Sequence, residues 1–192
     1  MDSSSPVSSS SASSDFDFRA FHARHKVGMI VACAQNGVIG DSGDLPWSLP
    51  RDLKHFMQST RGCPVVMGRK TFDTLDNPLP NRLNIILSRS MSEDQPEGVR
   101  VARDIEDGIQ IGQGSGLEAP VWIAGGGDIY RQAMNLVDLI VCTRVHAHVS
   151  GDTVFPEIDQ NDWHLAQSQS FESDDRHAHS FTIEWWELVE SR

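Results

Sequence analysis

The sequence predicts an α/β fold: a central, mostly parallel but mixed β-sheet flanked by helices and closed by a C-terminal antiparallel hairpin. Three observations predict it. Short apolar runs alternate with helical patterns along most of the chain, the order that builds a parallel sheet with helices on its faces. The runs are continuously apolar rather than alternating, which suits strands covered on both sides. The last stretch changes character, with segments 171–172 and 180–188 bracketing the polar turn SDDRHAH, the signature of a hairpin.

The elements follow in order. Residues 1–14 (MDSSSPVSSSSASS) are mostly serine and carry too little apolar surface to offset the entropy of ordering them. They lack the basic start and apolar run of a secretory signal, and Asp15 and Asp17 argue against an organelle transit peptide. A disordered tail is therefore assigned to 1–18, a transition segment to 19–26 and the folded domain to 27–192. Strands are predicted at VGMIVAC (27–33), CPVVM (63–67), LNIIL (83–87), 99–102, VWIA (121–124) and LIVCTRV (139–145). Helices are predicted at 50–59, where Pro50 suits a first turn, and at 71–74, 105–111 and 128–134. Trp185 and Trp186 are expected to cap a core edge on the last strand.

Composition narrows the function. The 192 residues suit one domain with an appendage. With 27 acidic residues against 16 Lys and Arg, the net charge is −11, which argues against wrapping nucleic acid or resting on an anionic membrane. The excess fits solubility or adaptation to salt. No apolar run approaches a membrane span. Cys33, Cys63 and Cys142 are odd in number and far apart. They fit neither a disulfide framework nor a zinc site and point to a reducing cytoplasm. The pairs His146-x-His148 and His177-x-His179 read as surface histidines, and no metal site is expected.

Ligands of open α/β sheets bind beyond the carboxyl ends of strands. After CPVVM stand Gly68, Arg69, Lys70 and Thr71. There, free helix-start N–H groups and two cations would attract a phosphate, although the spacing is not that of a P-loop. After VWIA stand Gly125, Gly126 and Gly127, and backbone donors at that junction suit a pyrophosphate. Tyr130 occupies the place where a dinucleotide fingerprint would need its last glycine. After LNIIL stand Ser88 and Arg89, a hydroxyl and a guanidinium that can hold phosphate. Three such strand ends together indicate a phosphorylated dinucleotide without a standard Rossmann loop. The run GQGSG (112–116) follows no strong strand and reads as a flexible loop.

The segment LPWSLPRDL (45–53) holds the most informative acid. Helical spacing from Pro50 puts Leu53, Phe56, Met57 and Thr60 on one apolar face, with Asp52 one turn from Phe56 and Trp47 just upstream. The glycine-containing stretch NGVIGDSG (36–43) could serve as a lid. A carboxylate in such a pocket can grip an amidine-like pair of N–H groups; otherwise an acid here simply offsets the helix dipole.

These motifs, with Pro78-Leu79-Pro80-Asn81-Arg82 and Gly151-Asp152-Thr153-x-Phe155-Pro156, stand in an order and spacing that resembles bacterial-type dihydrofolate reductases over residues 27–190. The resemblance implies hydride transfer from NADPH to 7,8-dihydrofolate, giving tetrahydrofolate for one-carbon metabolism. It implies that Asp52 holds the pterin and favours protonation at N5, with Thr143 in its network and Trp47 ordering water at the lid. Ala32, Leu53, Phe56, Thr74, Leu79 and Ala124 would line the folate pocket, and Arg82 would clamp the glutamate carboxylate. Ile39, Gly40, Gly68, Arg69, Lys70, Thr71, Ser88, Arg89, Gly125, Gly126, Gly127 and Tyr130 would bind the cofactor, with a cis peptide at Gly125–Gly126. The chain is expected to act as a cytoplasmic monomer.

Two departures matter. Ala124 replaces a larger aliphatic residue and implies a roomier pocket with altered antifolate affinity. Asp128 brings a negative charge that would disfavour the cofactor's 2′-phosphate if it pointed inward. Two rival readings are a same-fold reductase acting on a pyrimidine intermediate of riboflavin synthesis and a non-catalytic NADPH- or folate-binding module.

Overall fold

The computed structural model describes residues 16–189. In chain order the elements are α1 (Phe18–His22), β1 (Val27–Ala34), β2 (Val38–Gly40), α2 (Pro50–Ser59), β3 (Pro64–Gly68), α3 (Arg69–Phe72), β4 (Leu83–Leu87) and β5 (Val99–Ala102). They continue with α4 (Ile105–Gln113), β6 (Val121–Ile123), α5 (Gly127–Ala133), β7 (Leu139–Val145), β8 (Thr153–Val154), β9 (Trp163–Phe171) and β10 (Phe181–Leu188). Eight strands form one sheet in the order β5-β4-β3-β6-β1-β7-β10-β9. It is parallel from β5 through β7, and β10 and β9 add antiparallel to β7.

The continuous apolar runs are buried on both faces. Along β1, Met29, Val31 and Cys33 join one core cluster and Ile30 the other, as strand alternation requires. No helix among the described residues is long and apolar enough to cross a membrane.

Several boundaries differ from the sequence reading. Strand β9 covers Trp163–Phe171, not only its last residue, because WHLAQSQSF is an edge strand with mostly exposed polar side chains and no apolar run to mark it. The stretch 36–43, read as a lid, is tied down over part of its length. Its β2 portion pairs with β8, the Asp152 N–H donates to the Gly40 carbonyl at 3.2 Å, and the Phe155 N–H donates to Gly37 at 2.9 Å. A Cβ at Gly151 would run into Val38 and the Gly40 carbonyl, so glycine permits this close approach. Trp185 and Trp186 do not cap an edge but lie buried in opposite core clusters.

The tail ends before residue 18. The Asp17 carboxylate caps α1 by accepting the N–H groups of Arg19 and Ala20. The serine-rich residues 1–15 lie outside the described residues. Helix α1 is pinned by His22, 2% exposed, whose Nε2 accepts the Trp185 indole N–H at 3.0 Å. Phe18 packs on the rings of His22 and His55. Burial holds both imidazoles neutral, pushing His22 down to about 3 and His55 to about 4.

A histidine with a lowered folded-state pKa takes up protons preferentially in the unfolded chain. Stability is therefore retained above about pH 6.5 and lost progressively as pH falls toward the folded values. Unfolding free energy is expected to drop between pH 6.5 and 5 by on the order of 1–2 kcal/mol per histidine. Denaturant midpoints across that range test this. His22→Gln, which keeps an acceptor for Trp185 but does not titrate, should flatten the slope. A slope unchanged in that variant would assign the acid sensitivity to other groups.

Candidate active site

Helix α2 begins where Pro50 fixes the first turn, and this places Asp52 against the sheet. Thr143, 2% exposed on β7, donates its hydroxyl to Asp52 Oδ1 at 2.6 Å. Burial raises the Asp52 pKa above the usual carboxylate value, and the Thr143 hydrogen bond works in the opposite direction. Ala32 lies opposite Thr143 on the adjacent β1. Trp47 Nε1 is buried with no hydrogen-bond partner among the described residues. A carboxylate and a hydroxyl are thus paired near the carboxyl ends of β1 and β7.

The apolar face read from the α2 spacing is divided. Thr60 is buried and Phe56 and Met57 half-buried, but Leu53 is 62% exposed. The side of α2 that packs inward carries His55 and Ser59 instead. Periodicity finds an apolar stripe but not what covers it.

The two glycine junctions close on one another. The Gly68 N–H donates to the Gly125 carbonyl at 2.8 Å, and the Ala124 N–H donates to Val66 at 2.9 Å. The Gly125–Gly126 peptide is cis. A Cβ on Gly126 would stand 3.2 Å from Thr71 Oγ1, so bare backbone at this point leaves room facing the start of α3. Arg69 Nε pairs with Asp73 at 2.7 Å, and Lys70 is exposed. Tyr130 is buried and its hydroxyl donates to the Ile30 carbonyl at 2.8 Å. Burial pushes this phenol up, so it stays protonated. Asp128 is exposed and ion-paired with Arg131 on α5, so its charge is partly balanced on the surface.

At the end of β4, Ser88 and Arg89 line a cleft of about 320 Å³ with Met91, Glu93, Val101, Arg103 and Asp107. Arg103, just past β5, is a cation that the sequence reading missed. The strand-end rule would have found it, since β5 is neighbour to β4. Ile39 is buried and Gly40 half-buried on β2, tethered to Thr153 of β8.

Arg82 is 8% exposed. Its Nε donates to Thr60 Oγ1 at 2.8 Å, Nη1 to the Pro80 carbonyl at 2.5 Å and Nη2 to the Met57 carbonyl at 2.7 Å. Leu79 is half-buried, and the Asn84 amide holds its backbone at 2.8 and 3.0 Å. Asn84 is a second positioning group that the sequence reading missed. Thr74 is exposed, with its hydroxyl donated to the Thr71 carbonyl.

The surface reading holds for His146 and His148, which are exposed, but not for His177. That ring is 2% exposed, because Asp174 and the first turn of α2 satisfy both its nitrogens. Among the described residues no group of three or more His, Cys, Asp or Glu side chains is placed to hold a metal ion. The three cysteines are free and buried.

The family model "Dihydrofolate reductase" matches residues 26–188. A dihydrofolate reductase of Bacillus subtilis is 32% identical over 165 residues, covering 86% of this chain and 96% of that protein. Dihydrofolate reductase HdrB of Haloferax volcanii is 37% identical over 161 residues, 80% of this chain and 79% of that protein. Among solved structures, a dihydrofolate reductase from Enterococcus faecalis complexed with NADP(H) and RAB-propyl superposes with a TM-score of 0.77 at 32% identity. It covers 86% of this chain and 97% of that one. With the match running through the Asp52–Thr143 pair, the facing glycine junctions and Arg82, the chain belongs to the dihydrofolate reductase family.

Proposed function

We infer that this chain catalyses the NADPH-dependent reduction of 7,8-dihydrofolate to 5,6,7,8-tetrahydrofolate. The observation that carries the reading is the Asp52 carboxylate, withdrawn from water at the head of α2 and held by Thr143, in a member of this family. When bound, NADPH supplies the hydride. The remaining work belongs to the protein. Asp52 accepts the pterin's 2-amino and ring N–H groups, and its negative charge favours the proton at N5. Thr143 fixes the carboxylate's orientation. Trp47 Nε1, buried without a partner among the described residues, suits a water that relays that proton.

Ala32, Leu53, Phe56, Thr74, Leu79 and Ala124 form the folate pocket in this reading. Small Ala124 leaves extra room beside the pterin and alters antifolate affinity. Arg82 holds the glutamate carboxylate. The cofactor's phosphates fit the donor set: Arg69, Lys70 and Thr71 at the start of α3, and Ser88, Arg89 and Arg103 at the neighbouring strand ends. Gly125, Gly126 and Gly127 present bare backbone: a Cβ would run into Thr153 at Gly127 and press closely on Tyr130 at Gly125 and on Thr71 at Gly126. Ile39 and Gly40 cover the nicotinamide side, and buried Tyr130 supports it. Aligned donor and acceptor carbons contribute roughly 7–11 kcal/mol of barrier lowering. The reading includes a cytoplasmic monomer with no nucleic-acid partner.

Loss of NADPH absorbance on addition of dihydrofolate tests the reading. Rapid oxidation supports it. Tight NADPH binding without turnover would favour the riboflavin-type reductase or the binding module. Preference for NADPH over NADH is expected to rest on Arg89, since Asp128 is engaged by Arg131. Arg89→Ala should reduce the preference about 10- to 100-fold, the worth of a charge-assisted phosphate contact. Undiminished selectivity in that variant would move the 2′-phosphate to another site.

A further inference from the structure

The turn between β9 and β10 reaches back to the helix that carries Asp52. Asp174 and His177 exchange backbone hydrogen bonds at 3.1 and 3.0 Å, and His177 Nδ1 bonds Asp174 Oδ1 at 2.6 Å. With its Nδ1–H donating to the carboxylate, the buried ring presents a lone pair at Nε2. That lone pair accepts the Arg51 backbone N–H at 3.0 Å.

The first turn of α2 needs such an acceptor. Its N-cap is Leu49, which makes no side-chain cap, and Pro50 has no N–H. The Arg51 N–H is the first orphan donor of the helix, one residue before Asp52. The same hairpin grips this turn a second time, with the Arg51 guanidinium 5.0 Å over the Phe171 ring and Phe171 stacked on Phe181. On β10, Ile183 pairs in register with Thr143 of β7. One hairpin therefore supports both partners of the Asp52–Thr143 hydrogen bond.

We propose that His177 is a positioning residue for Asp52, an N-cap supplied from 126 positions away that holds the first turn of α2 where Asp52 meets Thr143. The proposal rests on the reading of Asp52 given above. It differs from a merely structural contact in what it predicts for substrate. His177→Ala is expected to raise KM for dihydrofolate and lower kcat, each about 10-fold, so that kcat/KM falls by about the 10²-fold that an ångström of misplacement can cost. KM for NADPH should stay within about twofold, since the cofactor groups lie on other elements. His177→Gln, which returns an acceptor near the Nε2 position, should restore most of the loss.

Asp174 is partly exposed, so Asp174→Ala provides a variant that folds while freeing the tautomer. It should raise KM for dihydrofolate by about threefold. The proposal is overturned if His177→Ala melts earlier yet keeps its dihydrofolate KM and kcat. It is also overturned if His177→Gln is no better than alanine, or if Asp174→Ala is indistinguishable from the parent. Asp52→Asn run in parallel separates the two claims. If that variant keeps full activity, the reading of Asp52 fails; if it loses activity while the His177 variants do not, only the positioning role fails.

Discussion

Asp52→Asn is expected to lower kcat for dihydrofolate reduction by about 10²–10⁴-fold, the range associated with a positioned proton-transfer group, while NADPH affinity stays within about twofold. The substitution keeps the shape of the side chain. An amide oxygen can still accept the Thr143 hydroxyl that lies 2.6 Å from Asp52 Oδ1, so the geometry persists and only the charge is lost. That charge is what the chemistry needs, because a neutral amide neither pairs with two pterin N–H donors as strongly nor favours a proton at N5.

A second readout follows from burial. The folded-state pKa of Asp52 is raised, so the unfolded chain gives up this proton more readily than the folded one. Stability is lost as pH rises from the ordinary carboxylate value through the raised one, and at neutral pH the ionised group is a cost to the fold. Asp52→Asn should therefore melt higher at pH 7 even as it loses activity, the usual trade at a catalytic site. Single-turnover loss of NADPH absorbance, with thermal melts at pH 7, measures both. A kcat reduction below about fivefold, against the 10²-fold minimum expected of such a group, would remove Asp52 from the reaction.

Much of this site was legible because its signals are local. Pro50, Asp52 and Phe56 lie within two helical turns, and GRKT, GGG and SR each follow directly on an apolar run. The sheet order then adds what no local pattern contains: the Gly68 N–H meets the Gly125 carbonyl only because β3 lies beside β6. Other features were hidden for identifiable reasons. Arg103 follows a short strand whose pattern is half exposed. His177 sits in a polar turn, and its burial depends on a donor far away in sequence. Helix α1 follows directly on a serine-rich stretch, and five residues are too few for periodicity to stand out. Leu53 reads as core because a helical stripe gives the same pattern whether it faces another element or open solvent.

Arg82→Lys is expected to raise KM for dihydrofolate by about 30- to 5,000-fold, which corresponds to the 2–5 kcal/mol lost when one partner of a buried, hydrogen-bonded charge pair is changed. The guanidinium is held by three acceptors from two segments, Met57 and Thr60 at the end of α2 and Pro80 in the following loop. Those bonds use one hydrogen on each nitrogen. Nη2 also donates to the Met57 thioether at 3.5 Å, so in the proposed reading the substrate carboxylate forms its fork with the remaining Nη1 hydrogen and by displacing that weak sulfur contact. Lysine keeps the charge but presents a point donor on a flexible stem, so it can neither satisfy the three acceptors nor form the fork. Some loss of stability is therefore expected, and the substrate resolves the ambiguity. A dihydropterin without the carboxylated tail should be reduced equally well by the parent and by Arg82→Lys, whereas dihydrofolate should discriminate strongly between them. If both substrates are affected alike, Arg82 acts by supporting α2 and its neighbouring loop rather than by binding the carboxylate. If neither is affected, the carboxylate is held elsewhere on the cleft.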